Sequence, residues 1–501
     1  MGRNQRVDSI LLRPRHCRFY GIEKQVETQT KDDLKIFRDF YLRKTCIGVL
    51  YISRLNDVKS RGWAHSSVWL ERVPDKDEVH GSNPCAPALK SFELWLEALF
   101  LYRDRLRIRK SPMAKRTLKV GIIGYGMIGK VHAYATATLP WFAPQLDVVG
   151  KVVAVATSRL ETARRAQEQI GCPLVYDDYR ALIANPEIDV VHICTPNAEH
   201  LPALLEAIRA DKHVYCEKPI VAGPDEAETL RRALAQSASS KVHGVAHHLR
   251  GFTALRRAKE LIEEGRLGRI VQYRVGYYHS SMLDSTRPWR WKHGEKGGTI
   301  FDLGSHLFDL VGWLIGRPAQ VVANASIWTP RRPVTEGSSE TRDVVAEDAV
   351  SILTRGALDG AAQGLATTGV VEATKLTNGA EDELKLEISG TEGSLRFSLM
   401  DSHYLEFFDA RVPFGKNGGS AGWTRIPSGA RYEAPESDFP SPKSTTGWLR
   451  AHVAALAGFY QGISEGGRPR CASFEDALQT QKVLTAVAES ARRNQWIDVE
   501  K

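Results

Sequence analysis

A parallel sheet wrapped by helices, followed by an α+β domain built on a mostly antiparallel sheet, is the fold class that this sequence predicts. Three observations carry it. Over residues 117–240, β-branched apolar runs alternate with helical stretches. From 241 onward, strand-like runs succeed one another without helices between them, and a glycine-rich turn closes the very first strand. Strands apolar on both faces and separated by helices specify βαβ units in a sheet covered on both sides, whereas strands in direct succession pair antiparallel.

In chain order, the first region has the strand signals "KVGIIGYG", "KVVAVATS", "DVVHICTP" and "HVYCEKP". The helical stretches "LETARRAQEQIG", "YRALIANP" and "HLPALLEAIRAD" lie between them. The second region opens with the helix "TALRRAKELIEEGRLG" and continues through "RIVQYRVGYYH", "AQVVANASIWT", "DAVSILTR", "LKLEISG" and "GSLRFSLM". It closes with a helix around "SFEDALQTQKVLTAVAESARRN", capped by a Ser-x-x-Asp pattern. Two domains are expected, 113–240 and 241–501, with the last helix packing back on the first. A ligand belongs in the cleft between them.

The chain has 501 residues, room for two or more domains. Its 43% hydrophobic and 25% charged content is that of a soluble globular protein. No apolar run reaches the length of a membrane span, and no secretory signal opens the sequence. Seven scattered cysteines argue against a disulfide framework and against a zinc ribbon, so a cytoplasmic protein is expected. The net charge of +9 suggests a nucleic-acid partner until its distribution is counted. Residues 1–112 hold 22 Lys and Arg against 14 Asp and Glu, which leaves 46 against 45 in the remaining 389 residues. The main body therefore has no global attraction for polyanions. Residues 1–112 show no steady helical or strand period, and Met113 stands directly before "AKRTLKVGIIGYGMIG". That segment reads as an interaction arm, a poorly ordered extension, or upstream sequence taken in by a misplaced start codon, the last being favoured.

Gly124, Gly126 and Gly129 form G-Y-G-M-I-G between the first strand and the first helix. In a dinucleotide-binding Rossmann domain the first glycine makes the tight turn and the second lets the backbone approach the pyrophosphate. The third lets helix and strand pack, with the anion at the helix N-terminus. A plain glycine turn is the competing reading; the strand–turn–helix context favours the cofactor and counts Met127 and Ile128 with it. An acidic residue at the end of the second strand would bind the ribose hydroxyls of NAD. Ser158 and Arg159 stand there instead, which favours NADP over NAD. Arg159 also fits a solvated helix-start residue. Ser158 lies 34 residues after Gly124, a long first crossover.

Oxidising an alcohol by hydride transfer needs a base for the hydroxyl proton and a rigid frame for the carbinol carbon. No cysteine–histidine spacing supports a zinc ion in that task, and no metal is expected. "CEKPI" puts Lys218 at the carboxyl end of a parallel strand, where open α/β sheets bind ligands, and Pro219 keeps Lys218 extended. An isolated Glu-Lys-Pro fits a surface turn equally well. In "GGTIFDLGSHLFDLVGWLIG", Asp302 and His306 are four apart and share one face of a helix, while Leu303, Leu307, Leu310 and Leu314 recur at near-helical spacing. Gly297 and Gly298 allow the backbone to approach a ligand. A carboxylate orienting an imidazole is a common acid/base pairing, against which stands a helix cap beside a satisfied core histidine.

Taken in order, "GIIGYGMIG", "CTPNAEH", "CEKP" and "GGTIFDLGSH" resemble the glucose–fructose oxidoreductase/inositol dehydrogenase/MocA (Gfo/Idh/MocA) family over roughly residues 117–497. The resemblance implies an NAD(P)-dependent oxidoreductase that moves a hydride between nicotinamide C4 and a secondary alcohol or ketone of a sugar, polyol or inositol-like substrate. It implies a catalytic group of Lys218, Asp302 and His306, in which His306 or Lys218 takes the hydroxyl proton and Asp302 positions substrate and imidazole. It also implies that Thr195, Pro196, Asn197 and His200 run along the cofactor, that Glu217 faces the nicotinamide ribose, and that Trp289 and Arg290 close over the nicotinamide. Trp289 as a domain-interface anchor is the alternative. The family's large open sheet implies a homodimer or homotetramer. His247, His248, Arg250, Tyr277, His279 and Arg287 are candidates for hydroxyl recognition; no nucleic acid and no membrane is expected as a partner. Two other uses of the fold compete, a retained-NAD glycosidase and an NADP-sensing regulator. The joint presence of Lys218, Asp302 and His306 speaks against the regulator.

Overall fold

The computed structural model describes residues 115–286, 298–356, 367–429, 441, 444–445 and 447–500. The segment 1–112 lies outside these residues, as do Arg287, Trp289, Arg290 and Gly297.

The first half consists of β1 (Arg116–Ile123), α1 (Met127–Phe142), β2 (Val148–Ala156), α2 (Leu160–Ile170), β3 (Leu174–Tyr176), α3 (Tyr179–Ala184) and β4 (Val190–Ile193), then α4 (His200–Arg209), β5 (His213–Cys216), α5 (Pro224–Gln236) and β6 (His243–Val245). The strands lie in the order β6-β5-β4-β1-β2-β3, every pair parallel. The chain winds from β1 first to one side and then to the other, so a crevice opens where β1 and β4 end. All four residues of β4 are buried, as a strand covered on both faces requires. β6 corrects the boundary expected at residue 240, because the sheet runs on to Val245. Its three residues contain a glycine and a histidine, too short a run to show a period.

The second half contains α6 (Thr253–Glu263), β7 (Ile270–Tyr278), α7 (Thr299–Asp302), α8 (Gly304–Ile315), β8 (Gln320–Ser326), β9 (Arg331–Pro333), β10 (Thr341–Asp343), β11 (Ala349–Gly356) and β12 (Thr367–Thr374). After these come β13 (Glu383–Gly390), β14 (Gly393–Ser398), β15 (Tyr404–Asp409), β16 (Trp423–Pro427), α9 (Trp448–Glu465), β17 (Ala472–Ser473), α10 (Phe474–Arg493) and β18 (Ile497–Asp498). Among the described residues, nine strands form one sheet in the order β16-β15-β14-β13-β7-β12-β11-β8-β18, in which only β7 and β12 pair parallel. β9 and β10 make a separate ribbon. Alternation sets the inner face: Leu384, Leu386 and Ile388 of β13 are buried together with Leu255 of α6 and Leu307, Leu310 and Leu314 of α8.

The C-terminal segment ties the halves together. Val453, Leu456, Phe459 and Tyr460 of α9 pack with Val120, Ile122, Leu139 and Phe142 of the first half. β17 joins β6 antiparallel, as a seventh strand of the parallel sheet. α10 opens with the capping box that Ser-x-x-Asp predicted, between Ser473 and Asp476. Its first turns sit in one core through Phe474, Ala477 and Leu478, and its later turns in the other through Val483, Leu484 and Val487. No helix among the described residues is long and apolar enough to cross a membrane.

Candidate active site

The glycine turn has the shape its motif predicts. Gly124 has a φ of +86°, and a Cβ there would stand 2.7 Å from the Cys194 carbonyl oxygen. A Cβ on Gly129 would collide with the Gly124 carbonyl oxygen, whereas Gly126 faces open space. Gly126 is the N-cap of α1 and leaves its first N–H groups without a side-chain partner. Donors and room for an anion therefore coincide, and the residues fit a dinucleotide. Met127 is exposed beside the turn and Ile128 is half-buried. Thr195, whose backbone abuts Gly124, has a buried hydroxyl with no partner, an orphan that a bound cofactor would satisfy. Pro196 is exposed and Asn197 half-buried at the turn that leads into α4. At the end of β2, Ser158 and Arg159 are both exposed. The Thr157 and Thr162 hydroxyls donate to the Arg159 carbonyl at 2.8 Å each, which pins its backbone and leaves the side chain in solvent.

Two residues expected on the cofactor have partners within the protein. Buried His200 places Nδ1 2.9 Å from the Pro219 carbonyl oxygen and Nε2 2.9 Å from that of Thr195. It ties the two strand-end loops together. Glu217 is buried, with Oε1 3.0 Å from His132 Nε2 and Oε2 accepting the Lys218 N–H at 3.2 Å. Burial alone would raise its carboxyl, but the hydrogen bond and charge of His132 reverse this and hold it below the ordinary range. Glu217 thus fixes the start of the Lys218 loop. The motifs gave no warning of His132, although its place three residues after Gly129 puts it on the inner side of α1.

Lys218, Asp302 and His306 do come together at the carboxyl end of β5. Lys218 Nζ donates to Asp302 Oδ1 at 2.7 Å and to the Asp302 carbonyl oxygen at 3.1 Å. Ser305 Oγ donates to the same carbonyl at 3.0 Å. The His306 N–H donates to Leu303 O at 3.1 Å where α7 and α8 join. Leu303 between them keeps helical backbone angles, so Asp302 and His306 lie on successive turns. The expected carboxylate–imidazole pairing is replaced: Asp302 Oδ2 faces Lys375 Nζ at 2.7 Å, and His306 Nδ1 is buried without a partner. Burial, the Lys218 ammonium and the imidazoles of His248 and His247 push His306 well below its ordinary value. For Asp302, burial is outweighed by Lys218 and Lys375, which hold it well below the carboxylate range. Gly298 also serves a different purpose from the one expected. A Cβ there would strike the Glu347 carboxylate, which accepts the Ile300 N–H at 2.7 Å, so the glycine makes room for a cap on α7.

Of the hydroxyl-recognition candidates, Tyr277 and His279 flank this cluster. Tyr277 packs its ring 5.7 Å from that of His306 and donates its hydroxyl to Asp382 at 2.7 Å. His279 Nε2 lies 3.3 Å from the same carboxylate. Asp382 and Lys375 were not seen in the sequence, because neither belongs to a motif or a periodic run. His248 and His247 also face the cluster, their rings 5.1 and 6.1 Å from that of His306. His248 stacks on His452 at 4.2 Å, and burial pushes it down to about 3. Arg250 binds Asp309 with two hydrogen bonds, 2.6 and 2.9 Å long, and His247 lies 3.8 Å from Asp309.

A dinucleotide turn and a Lys–Asp–His cluster at one end of a parallel sheet define a nicotinamide-dependent oxidoreductase. Residues 118–244 match the GFO_IDH_MocA oxidoreductase family with NAD-binding Rossmann fold, and residues 255–396 match the GFO/IDH/MocA C-terminal domain. Levoglucosan dehydrogenase of Pseudarthrobacter phenanthrenivorans is 32% identical over 402 residues, which are 77% of this chain and 98% of that protein. The NADP(+) scyllo-inositol 2-dehydrogenase of Bacillus subtilis is 35% identical over 210 residues, 42% of this chain and 54% of its own. The solved complex of levoglucosan dehydrogenase with NADH and levoglucosan has a TM-score of 0.71 at 30% identity, covering 77% of this chain and 100% of that one. The chain belongs to the Gfo/Idh/MocA family and is an NAD(P)-dependent dehydrogenase of CH–OH groups.

Proposed function

We propose that this enzyme oxidises a secondary hydroxyl of a neutral pyranose sugar or polyol with NADP, an anhydrosugar of the levoglucosan type being the first candidate. The observation that carries it is the Lys218–Asp302 ion pair beside an unpartnered His306 at the sheet end where the glycine turn lies. The bound nicotinamide supplies the hydride acceptor. His306, kept neutral by burial and the Lys218 ammonium, takes the hydroxyl proton; Lys218 hydrogen-bonds the same oxygen and steadies the charge that develops on it. Asp302 orients Lys218. Asp382, half-open and already engaged by Tyr277, offers an acceptor to neighbouring substrate hydroxyls. Free buried thiols at Cys172, Cys194, Cys216 and Cys471 favour a cytoplasmic location. Val322, Leu353 and Val370 stand in register on the outer face of the nine-stranded sheet, which favours a homodimer or homotetramer formed there.

The relatives divide between NADH and NADP(+) in their names, and the end of β2 supports NADP. It carries no carboxylate to repel a 2′-phosphate, and it offers a hydroxyl and a guanidinium. Arg159→Ala is expected to raise KM for NADP by about 10-fold or more, the worth of one charge-assisted hydrogen bond, and to leave KM for NAD nearly unchanged. Equal effects on both cofactors would refute the phosphate contact. The reaction itself is tested by mixing the protein with NADP or NAD and levoglucosan, scyllo-inositol, glucosides and other polyols, and reading the reduced-nicotinamide absorbance. Reduction of NADP with one substrate class is expected. Cofactor binding with no reduction by any of them would overturn the reading in favour of a retained cofactor or a regulator.

A further inference from the structure

We propose that Lys375 is a positioning residue of the reaction: it clamps Asp302 from the second half of the molecule and shares its charge, leaving Lys218 available to the substrate oxygen. The inference rests on the site reading given above, in which Asp302 orients Lys218. Asp302 is bridged symmetrically, Oδ1 to Lys218 and Oδ2 to Lys375, both at 2.7 Å. Both lysines are largely buried, their side chains 15% and 14% exposed. An ammonium so far out of water is held there by its partner and is not a casual surface pair.

The backbone of Lys375 is fixed as firmly as its side chain. It follows β12 directly, donates its N–H to Asp348 O at 2.9 Å and accepts the Met282 N–H at 3.0 Å. Since β7 lies between β12 and β13, residues 375–382 must cross the end of β7. That crossing is held by the Thr377 N–H on His279 O at 2.9 Å, and it ends at Asp382, the partner of Tyr277 and His279. One crossing thus places a cation on Asp302 and a carboxylate beside Tyr277.

The charge arrangement explains why a second lysine is useful. With Lys218 alone, the whole carboxylate charge would bind one ammonium. With two cations the negative charge is divided: Lys218 places two of its three N–H bonds on Asp302 Oδ1 and O, Lys375 holds Oδ2, and the third Lys218 N–H is left for a substrate oxygen. The charged and titratable groups around Asp302 are Lys218, Lys375, His306 and Tyr277, with Asp382, His247 and His248 facing Lys218 and Glu347 facing Lys375.

The test uses the full-length protein with the substrate found in the panel above. It compares Lys375→Met, Lys375→Arg, Asp302→Asn and the double variant Lys375→Met/Asp302→Asn. In Lys375→Met, kcat is expected to fall about 10–100-fold, as for a misplaced reacting group, with KM changed less than about threefold. The acid limb of kcat/KM should move to higher pH, because losing a cation beside Asp302 eases protonation of the cluster in which His306 is the base. Lys375→Arg should restore most of kcat, and the double variant should be no slower than Asp302→Asn alone. An unchanged kcat and acid limb in Lys375→Met, or losses that multiply in the double variant, would overturn the proposal. Should the Met variant melt early, Lys375→Gln reads the same quantities. Asp302→Asn at wild-type turnover would overturn the site reading itself, whatever Lys375 does.

Discussion

Lys218→Ala and His306→Ala are each expected to lower turnover by about 10²–10⁴-fold, the usual contribution of a positioned acid/base group. In the proposed reaction the two act on one substrate oxygen, so their losses should not multiply when both are removed. Cofactor binding should survive in both variants, since the glycine turn and the Thr195 hydroxyl remain to hold the dinucleotide. The pH profile carries a sign that can be checked. His306 sits well below its ordinary value of 6.5, and Asp302 well below its ordinary 3.8. The proton-accepting form of His306 is neutral, so it persists as the pH falls past 6.5 and is lost only lower down. The acid limb of kcat/KM is therefore expected below the ordinary histidine range. A limb at or above 6.5, or near-normal turnover in both alanine variants, would overturn His306 as the base.

The parts of the fold legible in the sequence are those that local physics writes. Strands such as Val190–Ile193 are apolar at every position because helices cover both faces, and the glycine turn is set by contacts within a few residues. The family motifs likewise located Lys218, Asp302 and His306. What they could not show is how those groups are partnered. The Leu303–Leu314 period runs on smoothly through the turn where Ser305 and Lys218 both bind the Asp302 carbonyl. Lys375 and Asp382 reach the site only because β7 is inserted between β12 and β13, a fact of sheet order with no local signature. Polar residues carry no sign of their partners in a string of letters: His248 stacks on His452, Arg250 binds Asp309 and His200 bridges two carbonyls. β6 and β17 were illegible for a plainer reason, having three and two residues.

Asp309→Ala is expected to be the most destabilising single change, costing about 3–5 kcal/mol, because it strands a charge in the interior. Asp309 on α8 has a side chain only 1% exposed, and it receives both Nε and Nη2 of Arg250, which leads into α6. Arg250 Nη1 also reaches Asp476 at 3.3 Å, in the capping box of α10. One guanidinium therefore joins three helices that meet behind the catalytic turn. Removing the carboxylate leaves the guanidinium 11% exposed, with only its longer contact to Asp476 to balance it. Replacing both partners should be far milder, since Arg250→Met with Asp309→Leu fills the space and leaves no unpaired charge at that contact. The midpoint of chemical denaturation separates the two cases. A double variant as unstable as Asp309→Ala would mean that the bridge contributes through its geometry and not through the cost of an orphaned charge. His306 lies one helical turn before Asp309 on α8, so in either variant the folded fraction should keep a better kcat than the loss of stability would suggest, provided α8 stays seated through Leu307, Leu310 and Leu314.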